Sequence, residues 1–489
     1  MNYLNKIYGC NLALATDLYE LTMAQGYWKC GVAESEAVFH MFFRKNPFKG
    51  GFIVTAGISF LIEFIENFRF TNDDIKYLRT LKGNDGKALF DNEFLNYLSS
   101  QKFDGEIDSV TDGTIVFPYE PVLRVKGKIL QAQILETAIL NIINFHSLIA
   151  TKAARVCLAA NGDPVIEFGM RRAHSIGGSL GASWAAYIGG CEATSNVLAG
   201  KLFGIPVRGT HAHSWVQFFD SEYDAFMNYA KGNPNNGIFL VDTYDTKSGV
   251  YNAIQAGKYL NQNGYKFFGI RIDSGNLEKL SKEAREILDE NGFKDTKIIA
   301  SGDLDEWIID DLKSKKAPID IWGVGTKLVT GYNEPFLTGV YKLSMAKKED
   351  CNWIPKMKIS EENTKTSIPG ILQVRRYSDG EYYLGDMIYD ITLGVKEEDS
   401  DIATSFGNNN QFSDKIEKRD LLIPIFRHGK RVYNPPEISK IKEYVKYELS
   451  KLKPMYKSLR CRKNYPVVLE KNLTDMKRKF IRELKRRNR

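Results

Sequence analysis

The stretch VIEFGMRRAHSIGGSLGASWAAYIGGCEATSNVLAGKLFGIPVRGTHAHS, residues 165–214, decides how the chain is read. It opens on a short apolar run, Val165 to Phe168, that soon reaches Arg171 and Arg172. A small-residue helix follows, and a second apolar run, Ile205 to Val207, leads into Gly209-Thr210-His211-Ala212-His213-Ser214. Two strands that each deliver cations, hydroxyls and imidazoles at their C-terminal ends point to a site for a phosphorylated, anionic substrate.

Downstream the same arrangement repeats. Strands are predicted at Val165–Phe168, Ile205–Val207, Ile238–Val241, Phe267–Ile272, Lys297–Ala300 and Ile319–Val324. Helices are predicted between them near Gly181–Phe203, Ser214–Ala230, Gly249–Asn261, Leu277–Glu290 and Leu304–Lys315. Strand–helix steps in unbroken succession imply a parallel sheet, and their even spacing favours closure into a barrel or near-barrel. In such a barrel the C-terminal strand ends share one face, so residues distant in sequence converge there. Here they are Glu167 and Arg171, Thr210 and His213, Asp242 and Thr243, Arg271, Asp273 and Ser274, Ser301 and Asp303, then Gly325 and Thr326.

Three groups on that face carry chemistry. Gly323-Val324-Gly325-Thr326-Lys327 follows the last strand, where glycines let backbone N–H groups approach a phosphate and Thr326 adds a hydroxyl. A plain glycine turn would look the same, but late loops of such barrels often take phosphate. Asp242, Asp273 and Asp303 each end a strand, and such aspartates either cap the next helix or hold Mg²⁺ against a diphosphate. Arg171 and Arg271 on the same face favour the second role, with Asp273 and Asp303 as metal candidates. His213 is one of six histidines and stands with His211 where a strand meets a helix, a place where an imidazole reacts rather than merely packs.

Upstream, Thr16-Asp17 is a plausible start for a helix over residues 12–28, with Tyr19 in its first turn. AVFHMFFRKNPFKGGFIVTAGI predicts two strands joined by the Gly-rich turn at Pro47 to Gly51, and Phe68 to Phe103 is helical. Pro118 and Pro121 interrupt TIVFPYEPVLRVKG, which predicts an edge strand or a crossover. A long helix over Gln133 to Ala159 marks the main boundary. We therefore expect an N-terminal α+β domain at 1–130, the barrel-like domain at 131–345, and a segment at 346–489 that packs on the N-terminal domain. Within that last segment PKMKISEENTKTSIPG reads as loop and turn, Tyr382 to Asp390 as strands, and Ile438 to Leu452 as a charged helix.

The 489 residues are 43% hydrophobic, which fits a folded globular chain. No uninterrupted apolar run of bilayer length and no signal peptide is visible, so a cytoplasmic protein without a membrane partner is expected. Six scattered cysteines, with no CxxC and no Cys/His ligand spacing, argue for a reduced compartment and against a zinc site. The formal charge of +7 resides in the end of the chain: without the eight Lys/Arg and one Glu of Lys477 to Arg489, the 67 basic and 60 acidic residues fall to 59 of each. No nucleic-acid-binding signature accompanies this basic tail, 477–489, and nucleic acid is not expected as a partner.

ATDLYELTMAQGYW, ETAILNIINFHSLIATKAARV, EFGMRRAHS, ATSNVLAGKLFGIPVRGTHAHSW, RIDSGN, SGDLDE and GVGTKL together resemble the nicotinate phosphoribosyltransferases of bacterial type, in that family's order and over nearly the whole chain. The resemblance implies a type II phosphoribosyltransferase-like fold, with an α+β domain built from N- and C-terminal segments. It implies an ATP-coupled ligase that makes nicotinate mononucleotide for NAD by salvage from nicotinate and 5-phosphoribosyl 1-diphosphate. Mg²⁺ is the implied cofactor, ATP the co-substrate, and a homodimer with a shared active site the assembly. By the same resemblance His213 is the phosphorylated histidine, His211 holds a variable position, and Tyr19 stacks near the pyridine ring. Arg171 and Arg271 serve the carboxylate or phosphate groups, Asp273 and Asp303 lie near ribose and metal, and Gly323, Gly325 and Thr326 take the 5′-phosphate. Asp17, Glu167, Thr210, Ser214 and Ser301 complete the substrate-facing set. RIDSGN departs from the family in Asn276, where an aspartate is common, which puts any metal role there in doubt.

Three rival readings predict different behaviour. A nicotinamide phosphoribosyltransferase would meet a neutral amide, which paired arginines disfavour. A nucleic-acid-binding protein would lose its salt-dependent affinity on deletion of 477–489. An unrelated phosphate-binding barrel would explain GVGTKL but not THAHS.

Overall fold

Short apolar runs, buried on both sides, build the sheet that carries the strand-end residues. In this computed structural model, which describes residues 3–347, 352–358, 366–396, 402, 406 and 416–487, the chain divides into two units. One is Ile149–Pro335; the other joins Met1–Leu148 to Phe336–Arg489.

The first unit holds β1 (Val165–Glu167), β2 (Ala193–Thr194), β3 (Ile238–Leu240), β4 (Gly269–Ile272), β5 (Lys297–Ala300) and β6 (Ile321–Val324). They pair in parallel in the order β2-β1-β6-β5-β4-β3. A parallel bridge from Thr194 to Val207 adds the Ile205–Val207 run outside β2. The strand that follows Val207 in the chain is β3, at the opposite end of the order, so the sheet runs round in chain order with one seam. Across the seam Leu240 N donates to His211 Nε2 at 3.2 Å, and Asn236 Nδ2 to Gly209 O at 3.2 Å. This is the expected near-barrel, its open edges bridged by a side chain from each side.

Two of the predicted helices are divided. Gly181–Phe203 is Ser175–Ile188 and Val197–Phe203, with β2 between them. Gly189 and Gly190 end the first, and Asn196 starts the second by accepting from Ala199 N at 3.2 Å. Ser214–Ala230 is His213–Phe218 and Glu222–Gly232, because Ser221 accepts from Asp224 N at 3.1 Å and opens a new helix. Leu277–Glu290 forms as read, with Ala284, Ile287 and Leu288 on its buried face.

The second unit is the expected α+β domain of both terminal segments. Its seven-stranded sheet runs 354–355, 339–347, 36–43, 121–128, 106–109, 423–427, 430–431, antiparallel throughout. Glu36–Phe43 and Ile53–Val54 are the two strands expected on either side of the Gly-rich turn; the first pairs with 121–128 and 339–347, the second with Ile115–Val116 in a separate two-stranded sheet. Of the two alternatives for the Pro118–Pro121 stretch the edge strand fails, because Pro121–Lys128 lies between 36–43 and 106–109, with Pro121 tolerated as the strand's first residue; the chain instead crosses there from the two-stranded sheet into the seven-stranded one. A third sheet orders 417–420, 372–378, 383–390 and 467–469, and Ile438–Ser450 is helical. The basic tail ends the helix Lys471–Arg487, whose Leu473 is buried in the core. Part of the predicted 355–370 loop, and Cys351, lie outside the described residues.

One apolar stretch was underestimated. The helical segment Ile129–Ala160 is long and apolar enough to cross a membrane by length and composition, yet 67% of its most apolar window is buried within the chain. That burial marks it as a core helix.

Candidate active site

The C-terminal ends of β1, β4, β5 and β6 surround one guanidinium. Arg271, on β4, donates from Nε to Ser301 Oγ at 2.7 Å, from Nη1 to Thr210 Oγ1 at 3.0 Å and from Nη2 to Asp273 Oδ1 at 2.7 Å. Its Cζ lies 5.6 Å from the centre of the Phe168 ring. Every nitrogen of the group is therefore fixed before any ligand arrives. Ser301 Oγ in turn donates to Asp273 Oδ1 at 2.5 Å. Burial works against charge on Asp273, but the Ser301 hydroxyl and Arg271 outweigh it and hold the carboxyl below its ordinary range. Asp273 N and Ser274 Oγ donate to Asp242 Oδ2 at 2.9 and 2.6 Å, which leaves the buried Asp242 Oδ1 unpartnered.

Two cavities adjoin at this cluster, of about 720 and 690 Å³, and share Phe168, Arg171, Arg271 and Asp273. The larger continues to Arg172, Ser301, Asp303, Gly323, Gly325 and Thr326; the smaller to Thr210, His211 and His213. Arg172 Nη1 donates to Thr326 Oγ1 at 3.1 Å and lies 3.9 Å from Asp303 Oδ1. Arg171 is exposed on the turn after β1, with no hydrogen bond or ion pair among the described residues. The glycines are required by close approach: a Cβ on Gly323 would stand 2.7 Å from the Phe168 ring, and one on Gly325 3.0 Å from the Phe168 carbonyl oxygen.

The histidine pair separates cleanly. His211 is buried, with Nε2 used across the seam and its ring against Tyr229, and burial lowers its pKa to about 4. His213, half-buried, opens the helix His213–Phe218 and lines the smaller cavity. Its Nδ1 lies 3.1 Å from Thr243 Oγ1, and its Nε2 has no partner among the described residues.

Of the residues singled out in the sequence, Arg171, Arg271, Asp273, Thr210, His213, Ser301, Asp303, Gly323, Gly325 and Thr326 come together here. Glu167 does not line either cavity. Its carboxylate is buried and takes the Gly169 N–H, the Ser183 hydroxyl at 2.8 Å and the Thr194 hydroxyl at 2.6 Å. Ser214 is exposed and also lies outside the lining. Asp17 and Tyr19 belong to the other unit, at the start of the helix Leu18–Lys29; Asp17 Oδ2 accepts from Thr137 Oγ1 at 2.9 Å, and Tyr19 is exposed. Asn276 accepts from Lys279 N at 3.1 Å and caps Leu277–Glu290, a task an aspartate would do equally well. Phe168 and Arg172 were not singled out for the site. Phe168 reads as core in an apolar run, whereas the Arg171-Arg172 pair was a signal available in the sequence.

Comparison with known proteins gives the same picture at the level of the whole chain. Residues 14–144 match the model of the nicotinate phosphoribosyltransferase N-terminal domain, 164–406 that of the nicotinate phosphoribosyltransferase family, and 373–477 that of the C-terminal domain. The chain is 43% identical to the nicotinate phosphoribosyltransferase of Bacillus subtilis over 98% of its own length and 96% of that protein. It is 38% identical to nicotinate phosphoribosyltransferase pncB2 of Mycobacterium tuberculosis over 94% of this chain and 91% of the other. The crystal structure of human nicotinic acid phosphoribosyltransferase superposes with a TM-score of 0.79 at 27% identity, covering 95% of this chain and 99% of that one. With its arginine-centred strand ends, its cavity-lining His213 and a likeness that runs the length of the sequence, the chain belongs to the nicotinate phosphoribosyltransferase family.

Proposed function

We propose that this chain joins nicotinate to 5-phosphoribosyl 1-diphosphate, releasing diphosphate and forming nicotinate mononucleotide in NAD salvage. The observation that carries the reading is 43% identity over 98% of the chain with the Bacillus subtilis nicotinate phosphoribosyltransferase.

The strand-end cluster is suited to this reaction. The pyridine nitrogen forms a bond to ribose C1 as the bond from C1 to the diphosphate oxygen breaks. That nitrogen carries no proton, so no general base is needed; the demand is for orientation and for stabilisation of charge. Arg271, locked by Ser301, Thr210 and Asp273, is a positive charge already in place and costs no reorganisation as the leaving group becomes more negative. Arg171, without a partner among the described residues, is the arginine able to turn toward an arriving anion. The Gly323–Thr326 turn supplies N–H and hydroxyl donors for the 5′-phosphate.

Mg²⁺ and ATP belong to the proposal. Asp273 Oδ2 and the Asp303 carboxylate have no hydrogen-bond partner among the described residues, donor oxygens of the kind Mg²⁺ takes. No group of three His, Cys, Asp or Glu among the described residues is arranged for a metal, which suits an ion held partly by substrate phosphates. When bound, the metal would neutralise charge on the leaving diphosphate. For ATP coupling, a His213 tautomer with Nδ1–H donating to Thr243 leaves the Nε2 lone pair to attack the γ-phosphorus, with ADP departing. Asp17, Tyr19 and the shared homodimer site enter this reading through the resemblance alone.

The test is diphosphate release by purified protein with phosphoribosyl diphosphate and Mg²⁺, with nicotinate or nicotinamide, each with and without ATP. Turnover with nicotinate, stimulated by ATP, is expected, and in His213→Ala the stimulation is expected to vanish. Turnover with nicotinamide alone would overturn the substrate, and ATP stimulation that survives in His213→Ala would overturn the phosphohistidine.

A further inference from the structure

Three of the quoted sequence stretches contain charged residues that the reaction above does not use: Lys152 and Arg155 in IATKAARV, Asp305 and Glu306 in SGDLDE, and Lys327 in GVGTKL. In the structure they meet. Glu306 is fully buried, with Lys152 Nζ 2.7 Å from Oε2 and Arg155 Nε 3.1 Å from Oε1, both cations equally buried. Its neighbour Asp305 caps the helix Glu306–Ser314 through Oδ1, which accepts from Trp307 N and Ile308 N at 3.1 and 3.0 Å. Asp305 Oδ2 accepts from Lys327 Nζ at 3.0 Å. Lys327 Nζ also stands 5.2 Å from the centre of the Tyr332 ring, and Lys152 Nζ donates to the Tyr332 carbonyl at 3.4 Å. The contacts form a closed ring behind the two turns that face the larger cavity.

A buried ionic cluster of this kind adds little net stability, because desolvation consumes most of the Coulombic gain. What it gives is one geometry. The turn in front of it needs that: after Gly302, whose φ of +87° suits a glycine, Asp303 has φ +26°, a conformation that a residue with a side chain keeps only where the surroundings over-determine it. We propose that Asp305 and Glu306 are positioning residues, which bind the 301–306 turn through Lys327 to the 323–327 turn, and through Lys152 and Arg155 to the long helix. The two turns then meet the phosphate groups of the substrate as one rigid block. The inference rests on the proposed function in that it takes a phosphorylated substrate to occupy this cavity.

Asp305→Asn isolates the link, since asparagine still caps the helix but offers an amide where Lys327 needs a carboxylate. Affinity for phosphoribosyl diphosphate is read by calorimetry, and KM for each substrate by turnover. The expected result is a roughly tenfold or greater loss of affinity and rise in KM for phosphoribosyl diphosphate, with KM for nicotinate and Tm near wild type. Lys327→Met is expected to match it, and the double variant to be no worse than either single one. Glu306→Gln leaves two buried cations short of an anion and is expected to lower Tm as well, so the Asp305–Lys327 pair carries the decision. Unchanged affinity and KM in Asp305→Asn would overturn the proposal, as would additive losses in the double variant. Wild type that binds phosphoribosyl diphosphate without turnover would overturn the function while the affinity comparison still decides this inference. Wild type that does not bind it would overturn both.

Discussion

Two arginines that look alike in sequence differ in what holds them. Arg271 is bonded to three side chains, while Arg171 has no partner among the described residues. Arg171→Ala is therefore expected to lose activity while unfolding free energy stays within about 0.5 kcal/mol of wild type. Arg271→Ala is expected to lose activity and about 1–3 kcal/mol, because the Asp273 carboxylate and two hydroxyls lose their donor. The pH dependence should change too. The Asp273 pKa is lowered in the folded chain, so its stabilising contribution is complete above the ordinary value of 3.8 and is lost as pH falls below it. Arg271→Ala should flatten that acid limb in chemical unfolding, and a limb identical to wild type would rule out the pairing. Residue identity gave the arginines, the aspartates and the histidine pair, while the preference for His213 over His211 came from the family resemblance. Identity could not give Glu167's burial, which depends on the Ser183 and Thr194 hydroxyls that the fold supplies, whereas Asn276's capping is local and lies directly before the helix read at Leu277–Glu290.

At the scale of elements, strand ends are only as well placed as the turns that follow them. A Cβ on Gly302 would stand 2.0 Å from the Asp273 carbonyl oxygen, and its φ of +87° is already one that other residues resist. Gly302→Ala thus must displace either the Asp273 strand end or its own turn. Thermal unfolding should report a loss of roughly 2–4 kcal/mol, and affinity for phosphoribosyl diphosphate should fall with it. A variant as stable as wild type would mean that the two strand ends are not in contact. Periodicity found the strands of the barrel and the extent of Leu277–Glu290 because those segments are long or strongly patterned. It missed β2, two residues within a small-residue run, and it fused helices that Asn196 and Ser221 separate. The partners of the strands at 36–43 and 121–128 were not readable, because pairing with segments such as 339–347 is set by the fold and nothing local encodes it.

On the scale of the molecule, the N- and C-terminal segments share one unit, and a buried ionic cluster of the C-terminal segment reaches Ile115 and Glu120 of the N-terminal one. Arg376 pairs with Asp386, donates to Glu448 Oε2 at 3.1 Å and reaches the Ile115 carbonyl at 2.8 Å. Arg419 Nη2 stands 2.7 Å from Glu448 Oε1, and Tyr465 donates to Asp386 at 3.0 Å. Glu120 is buried beside this cluster and accepts the Phe117 N–H at 2.9 Å, with no cation bonded to it among the described residues. Three carboxylates thus face two guanidiniums, and Glu120 is the one without a direct cation. Burial, and then the charge of Asp386, push its pKa well above the ordinary 4.5, with Arg376 opposing. The folded chain then binds a proton that the unfolded chain releases once pH passes that ordinary value. Stability from this group is present at low pH and declines as pH rises, by up to about 1.4 kcal/mol per unit. Glu120→Gln keeps the shape of the protonated acid and removes the decline. Its Tm should gain on wild type as pH rises above the ordinary 4.5, whereas a difference that stays constant there would mean that Glu120 is ionised in the folded chain and that the cluster tolerates the surplus charge.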